Sequence, residues 1–246
     1  MGRAHAGGTD IFVDEFDFSG VVNACDIAVN NPIADVTAFT DVDLTFVEGK
    51  PSFSITLNGL YSTAAPDYDG EMFIDLTASD RLITVSPSIA AATGGTAYFG
   101  QGDITSLPET ATIVDAVALN VTWNGNKPLS RGRIMCRAAA QTISVDSTAY
   151  NMGACTANQQ LIAFQHVMSA GTGTLDTIIV SDSQADMLSG GVVTRITFAQ
   201  AAAATSQRVV DAGVNADIWY RAELTIAGAT PVFNVIIVLA IVDYNP

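Results

Sequence analysis

The sequence predicts a mainly β protein built from antiparallel sheets. Apolar and polar residues alternate with a period of two in the windows 52–58, 117–123 and 192–198, which indicates strands that bury one face. The candidate strands are rich in Val, Ile, Thr and Phe and are separated by Gly, Asn, Asp and Pro, which is typical of antiparallel sheets. Helical spacing is confined to two short windows, so helix is a minority component.

Each predicted element follows from its own stretch of the chain. The segment 232–242 is apolar on both faces and predicts a central strand that is covered on each side. The window 66–78 opens with a turn-like Pro-Asp-Tyr-Asp-Gly and continues as one short helix, and 182–188 predicts a second helix of a turn or two. Gly100-Gln-Gly102 lacks a third glycine and a following helix, so we expect a turn there. The predicted strands cover 24–29, 43–48, 52–58, 82–86, 117–123, 133–139, 160–168, 174–180, 192–198, 218–226 and 232–242.

Charge excludes two classes of protein. The 246 residues carry a formal net charge of −15, but only 14% are charged and 49% are hydrophobic. Disorder requires low hydrophobicity together with high net charge, and tight DNA binding requires patches of Lys and Arg. The acids are concentrated in residues 1–125, where three bases and seventeen acids give −14, whereas residues 126–246 have seven bases and eight acids and a balance of −1. One acidic and one basic surface would suit association between copies of the chain.

The cysteines and the hydropathy pattern indicate a soluble protein with no membrane segment. Cys25, Cys136 and Cys155 are an odd number at no metal-ligand or redox spacing, so we expect reduced, buried thiols in a protein that folds in a cytosol. The N-terminal residues lack the apolar run of a secretion signal. The most apolar segment, 231–242, is too short for a membrane helix.

Searches for catalytic and metal-binding patterns point away from an enzyme. Of the two histidines, His166 alternates with apolar residues on a predicted strand, where a packed residue is a better interpretation than a catalytic base. A Gly-x-Ser-x-Gly elbow, a His-Glu-x-x-His pair and a phosphate-binding loop are all lacking. The segment 67–71, Asp-Tyr-Asp-Gly-Glu, has alternate acids but no acid at the twelfth position of a calcium loop. A solvated turn is the better interpretation, and we expect no metal, no cofactor and no enzymatic activity.

Four motifs in the first part of the chain occur in a recognisable order. They are Phe16-Asp-Phe-Ser-Gly-Val-Val-Asn, Asp35-Val-Thr-Ala-Phe-Thr-Asp, Glu48-Gly-Lys and Ser52-Phe-Ser-Ile-Thr-Leu-Asn-Gly-Leu-Tyr. With this order and spacing, residues 16–87 resemble the N-terminal part of the tail tube protein (major tail protein) of long-tailed bacteriophages. The later segments Lys127-Pro-Leu-Ser-Arg-Gly-Arg and Leu175-Asp-Thr-Ile-Ile-Val-Ser-Asp are similar to later strands of that family. The second half lacks the family's well-formed central helix.

The resemblance implies a fold, an assembly and a location. The fold would be an antiparallel β-sandwich or barrel-like tail-tube fold with one or two short helices. Its sheets would join across copies into hexameric rings, or into pseudo-hexameric trimers if the tube domain is duplicated, and the rings would stack into the tail tube. The partners would be the chain itself and other phage tail proteins, in a virion tail assembled in the host cytoplasm. An acidic lumen would repel phosphates, so that DNA passes without specific binding.

The resemblance also suggests a division of the chain and a set of contact residues. We expect an N-terminal arm at 1–15, a tail-tube-like first half at 16–95, and a second β half at 96–246 that is a candidate diverged repeat. A basic segment is expected to contact an acidic loop of the neighbouring ring, although a solvated hairpin is an equally good interpretation of it. The contact candidates are Lys127, Arg131, Arg133 and Arg137 on the basic side and Asp41, Asp43 and Glu48 on the acidic side.

Two other functions remain open from the sequence. A capsid decoration protein or another virion β-protein would form a discrete trimer and would not polymerise. An extracellular carbohydrate-binding or adhesin sandwich would explain the β pattern and the acidity. Against the latter stand the lack of a signal peptide and the aromatic content of 8% without a platform-like cluster.

Overall fold

The computed structural model describes residues 9–38, 42–60, 68–75, 78–87, 93–110 and 118–243. Within these residues the chain is antiparallel β with one short helix, so the mainly β prediction is confirmed. The strands are β1 (Asp10–Val13), β2 (Phe16–Asp17), β3 (Val22–Asn30), β4 (Ile33–Asp35), β5 (Phe46–Glu48), β6 (Ser52–Leu60), β7 (Arg81–Ser86), β8 (Thr96–Ser106), β9 (Glu109–Thr110), β10 (Ala118–Gly125), β11 (Ser130–Gln141), β12 (Val145–Asp146), β13 (Tyr150–Asn151), β14 (Gln159–Asp182), β15 (Val193–Thr197), β16 (Thr205–Asp211) and β17 (Trp219–Asp243), and the helix is α1 (Tyr68–Asp75).

Contacts within the chain define two compact units. The first unit contains residues 1–20, 82–99 and 130–246, and the second contains 21–81 and 100–129. Each unit is therefore assembled from segments that are distant in sequence. These boundaries differ from the sequential division at residues 15/16 and 95/96 that we expected.

Two long strands organise the first unit. β14 and β17 pair antiparallel from Gln159 opposite Asp243 to Asp182 opposite Trp219. β11 pairs with the other edge of β17, so the C-terminal part of β17 lies between two strands. All residues from Val235 to Ala240 are buried there, which confirms the prediction of a central strand.

Glycines allow this ribbon to bend at its middle. We expected separate strands on either side of residues 169–173 and 227–231, but each pair is one strand with bulges at these points. A Cβ added to Gly173 would lie 2.5 Å from the carbonyl oxygen of Ala227, and one added to Gly228, whose φ is +135°, would lie 2.5 Å from that of Thr172. Glycine is thus needed where the two backbones approach closely.

Both halves of the ribbon contribute to one hydrophobic core. Leu161 and Val167 from one half of β14 pack in the same cluster as Leu175 and Ile179 from the other half. The alternating apolar residues of each half face this cluster, as the period of two requires.

An N-terminal strand completes the first unit. β1 pairs with both β2 and β7, and the rings of Phe12 and Phe18 are completely buried. Residues 10–13 of the segment that we assigned to an N-terminal arm therefore lie in a strand of this unit.

The second unit contains a sheet in the order β3, β6, β10 and the later part of β8. As the alternation predicts, Phe53, Ile55 and Leu57 of β6 are buried on one face. Trp123 of β10 is fully buried on the same face, opposite Ile55 in the register. The apolar core of this unit therefore lies on one side of the sheet.

The predicted turn at Gly100-Gln-Gly102 is wrong, because these residues lie inside β8. A Cβ on Gly100 would lie 2.4 Å from Cζ of Phe53, and one on Gly125 would lie 2.0 Å from Cε1 of the same ring. The glycines therefore leave room for the buried ring of Phe53 instead of marking a turn.

The predicted helices have different outcomes. The helix in the window 66–78 is present as α1, with Met72 buried; residues 61–67 and 76–77 lie outside the described part. The predicted helix at 182–188 is wrong, because Asp182 ends β14 and residues 183–188 consist of bends and a turn. The carboxylate of Asp186 accepts hydrogen bonds from the backbone N–H groups of Leu188 and Ser189, which offers the backbone an alternative to helix.

Candidate assembly surfaces

A small hairpin extends the chain of the second unit between β3 and β6. Among the described residues, β4 and β5 pair only with each other, and we define residues 32–38 and 42–49 as the exposed hairpin. The N–H of Gly49 donates to the carbonyl of Pro32 at 2.6 Å, and the N–H of Val36 donates to the carbonyl of Thr45 at 2.9 Å. The hairpin is thus closed at its base and held at the inner end of its loop.

A side-chain network orders the same end of the hairpin. The carboxylate of Asp35 accepts hydrogen bonds from the hydroxyl of Thr37 at 2.5 Å and from its N–H at 2.9 Å. These bonds favour the charged form and lower the pKa of Asp35. The Thr37 hydroxyl oxygen also accepts from the N–H of Thr45 at 2.9 Å, which connects the two sides of the loop.

The exposed hairpin carries large apolar side chains that the described part of the chain leaves exposed. Val42 is 98% exposed and Leu44 is 69% exposed. The other large apolar residues exposed here are Ile33, Val36, Phe46 and Val47. A two-stranded ribbon is marginally stable alone in water, and contiguous exposed apolar residues indicate an interaction site. The hairpin therefore has the properties of a segment that packs against another molecule.

Next to the hairpin, β3 presents a free strand edge. It pairs along its length with β6, from Val22 opposite Gly59 to Asn30 opposite Ser52, and it is the outermost strand of the sheet in the described part of this unit. A long unprotected edge is a template for pairing with another chain. Pro, Lys and Arg, which commonly block such edges, do not occur in β3.

The basic contact candidates have different surroundings. Lys127 is exposed in the loop after β10 in the second unit, whereas Arg131 and Arg133 are exposed on β11 in the first. The Arg133 guanidinium lies 5.6 Å from the centroid of the Tyr150 ring and 3.5 Å from the carbonyl oxygen of Gly94. Stacking on the tyrosine leaves one face of this cation open.

Arg137 is held within the first unit. Its guanidinium donates to the carboxylate of Asp10, lies 3.9 Å from that of Asp17, and lies 5.2 Å from the centroid of the Phe12 ring. The side chain is 28% exposed. Arg137 therefore links β11 to the N-terminal strands in addition to being a contact candidate.

Two of the three acidic contact candidates lie on the exposed hairpin. Asp43 is exposed in its loop and Glu48 is exposed on β5, while Asp41 lies outside the described residues. Neither Asp43 nor Glu48 forms a salt bridge within the described part of the chain. The acids and the uncovered apolar side chains thus share one segment, of which the sequence argument had identified only the charge.

His166 is a packed residue, as expected. It is fully buried, its Nδ1 donates to the carbonyl oxygen of Asp14 at 2.7 Å, and its Nε2 accepts from the Thr84 hydroxyl at 2.8 Å. This tautomer satisfies both ring nitrogens of a neutral imidazole. Burial lowers the pKa of His166 and keeps the ring uncharged.

The thiols are poor nucleophiles. Burial raises the pKa of Cys136 to about 11 and, together with the nearby Asp26 charge, raises that of Cys25 to about 12. Burial also raises the pKa of Cys155. The thiolate is the reactive form of cysteine, so a raised pKa makes these three thiols less reactive.

The described residues contain no group of three or more His, Cys, Asp or Glu side chains arranged to hold a metal ion. Among them, no helix is long and apolar enough to cross a membrane.

Comparison with known proteins finds structural likeness alone. No protein-family model and no curated protein matches the sequence. The chain is similar to the "virion of native gene transfer agent (GTA) particle", with 20% identity over 50% of this chain and 95% of that chain and a TM-score of 0.39. It is similar to the tail of an empty GTA particle with C6 symmetry, with 19% identity over 49% of this chain and 93% of that chain and a TM-score of 0.38.

A third structure is matched over almost the whole chain. This is the SPP1 Dit (gp 19.1) protein, described as a paradigm of the hub adsorption apparatus in Gram-positive infecting phages. It shares 9% identity over 95% of this chain and 99% of that chain, with a TM-score of 0.41.

Proposed function

We propose that this chain is a structural subunit of a phage-type tail, which associates with copies of itself into rings that stack into a tube. The observation that carries the proposal is the exposed hairpin with its uncovered apolar residues beside the free edge of β3. An apolar arm and an open edge are liabilities for a solitary protein. In a closed ring, both are covered by the next subunit.

The sequence motifs and the charge support the same function. The motifs from Phe16 to Tyr61 occur in the order of a tail tube protein. Few cations are available to hold phosphates, so DNA can pass such a tube without adhering.

Negative-stain microscopy of the purified protein tests this proposal directly. We expect rings or long tubes that form without a cofactor. Globular particles of one subunit at every concentration would contradict self-assembly. A discrete trimer that never polymerises would instead favour a capsid decoration protein.

Charge reversal tests the proposed contact between the basic residues and the hairpin. Arg131→Glu with Arg133→Glu should impair polymerisation, because these cations would face Asp43 and Glu48 of a neighbouring copy. Adding Asp43→Lys and Glu48→Lys to the same chain should restore it. Normal tubes from the doubly reversed arginine variant would remove this contact from the proposal and leave the hairpin's apolar contact in place.

A further inference from the structure

The sheet of the second unit has one face that the described residues of the chain leave open. Opposite the buried residues of β6, its side chains Ser54, Thr56 and Asn58 are half-buried. The register places Asn120, Thr122 and Asn124 of β10 beside them and Asp103 of β8 beside Asn124. We call this surface the polar face; its positions are Ala24, Asp26, Ala28, Asn30, Ser52, Ser54, Thr56, Asn58, Asp103, Asn120, Thr122 and Asn124.

The side chains of the polar face are short, and none of them is basic. Its residues are alanine, serine, threonine and asparagine with two acids, Asp26 and Asp103. The Thr56 and Thr122 hydroxyls hydrogen-bond to each other across the strands at 3.1 Å, so they are held close to the sheet. Such a surface is well hydrated but offers no cation to a phosphate, and cations supply most of the affinity of proteins for the DNA backbone.

The topology determines which face a closed ring would enclose. Pairing at the free edge of β3 would continue this sheet into a neighbouring copy, and a wall closed in this way has an inner and an outer face. The apolar face of the sheet is already covered, since Ile55, Leu57 and Trp123 are fully buried. Elements covering that face would fill a channel if they lay inside it, so the open polar face has to line it. Ala28, Ser54 and Asn124 also line a depression on this face.

We propose that the polar face is the surface of this chain along which duplex DNA moves in the assembled tube. The inference rests on the proposed function, because it requires a closed ring. It extends that function by assigning the residues that face the DNA. DNA adheres weakly to this face because its side chains are neutral hydroxyl and amide groups together with two acids.

Thiol accessibility in assembled tubes tests this assignment. Ser54→Cys and Asn58→Cys, made separately in a Cys25→Ser background, place a thiol at two positions of the polar face on the same strand. The remaining thiols, Cys136 and Cys155, are buried, so the background protein serves as the unreactive control. Each variant is treated with N-ethylmaleimide and with a maleimide carrying a bulky polyethylene glycol chain, first as free subunits and then as tubes.

We expect both reagents to modify the free subunits. In tubes, N-ethylmaleimide should still react, whereas the reaction of the bulky reagent should fall by roughly tenfold or more, because thiol modification requires access. Equal reaction of both reagents in tubes would place the polar face outside, and protection from both would place it in a contact between copies; either result overturns the assignment. If the unaltered protein forms no tubes at all, the proposed function fails and this inference fails with it; if only the Cys25→Ser protein forms none, the two cysteines are introduced with Cys25 retained, and the unaltered protein is the control.

Discussion

The exposed hairpin gives the sharpest test of assembly, because its contribution can be calculated. Burying a Val or Leu side chain completely is worth about 1.5–3 kcal/mol. Val42 is 98% exposed and Leu44 is 69% exposed in the free chain. Covering Val42 would therefore contribute nearly all of this free energy, and covering Leu44 about two thirds of it. Replacing both with serine should therefore weaken each contact by about 2.5–5 kcal/mol, which is roughly 70- to 5,000-fold in the association constant.

The assay separates assembly from folding. The critical concentration for polymerisation, measured by sedimentation, should rise by that factor in the Val42→Ser, Leu44→Ser variant. The free energy of unfolding should change by less than about 0.5 kcal/mol, since these side chains are exposed in the subunit. Ile143→Ser is the matched control, because Ile143 is also 69% exposed but lies in the first unit. An unchanged critical concentration, or an equal rise in the control, would refute the role of the hairpin.

Three further predictions concern stability, measured by denaturant unfolding of the subunit. Burial lowers the pKa of His166, so the contribution of its neutral ring to the free energy of unfolding is complete above the unfolded pKa of about 6.5. Below that pH the contribution falls by up to about 1.4 kcal/mol per pH unit. His166→Gln should flatten this pH dependence, and an unchanged pH profile would contradict the assignment. Gly173→Ala should cost about 2 kcal/mol, because its Cβ would meet the carbonyl oxygen of Ala227 at 2.5 Å, whereas Gly20→Ala, with nothing within 4 Å, should change stability by less than about 0.5 kcal/mol. Arg137→Ala should cost about 1 kcal/mol through the lost ion pair with Asp10 and the lost packing on Phe12, and a loss no larger than that of Arg131→Ala would show that the pair contributes nothing.

The strands could be predicted where one face is buried. In β6, the alternation of Phe53, Ile55 and Leu57 with serine and threonine reproduces the observed burial, because a strand in a half-covered sheet leaves a direct trace in sequence. The ribbon of β14 and β17 could not be predicted as continuous. The glycines at its bend look like strand ends, and only the close approach of the two backbones explains them.

The candidate site could be predicted only in its charges. The acids of the hairpin are visible in sequence, but its apolar residues look like an ordinary strand, as in our assignment of 43–48. Whether Leu44 or Phe46 is covered depends on what packs against it, which is a tertiary property. The same reason explains the glycine at position 100. The Phe53 ring leaves no room for a side chain there, and no local turn is involved.

The charge of the chain has a different meaning once its cations are located. Several of the ten bases are already occupied: Arg137 pairs with Asp10, Arg195 with Asp217, and Arg221 with both Asp146 and Glu223. The cations that remain for phosphates are therefore fewer than the sequence suggests. With so few free cations, charge can set the orientation of neighbouring copies but cannot supply most of their affinity. In the proposed ring, that affinity would come from the apolar hairpin and the free edge of β3, since surface ion pairs contribute little while each covered Val or Leu contributes about 1.5–3 kcal/mol.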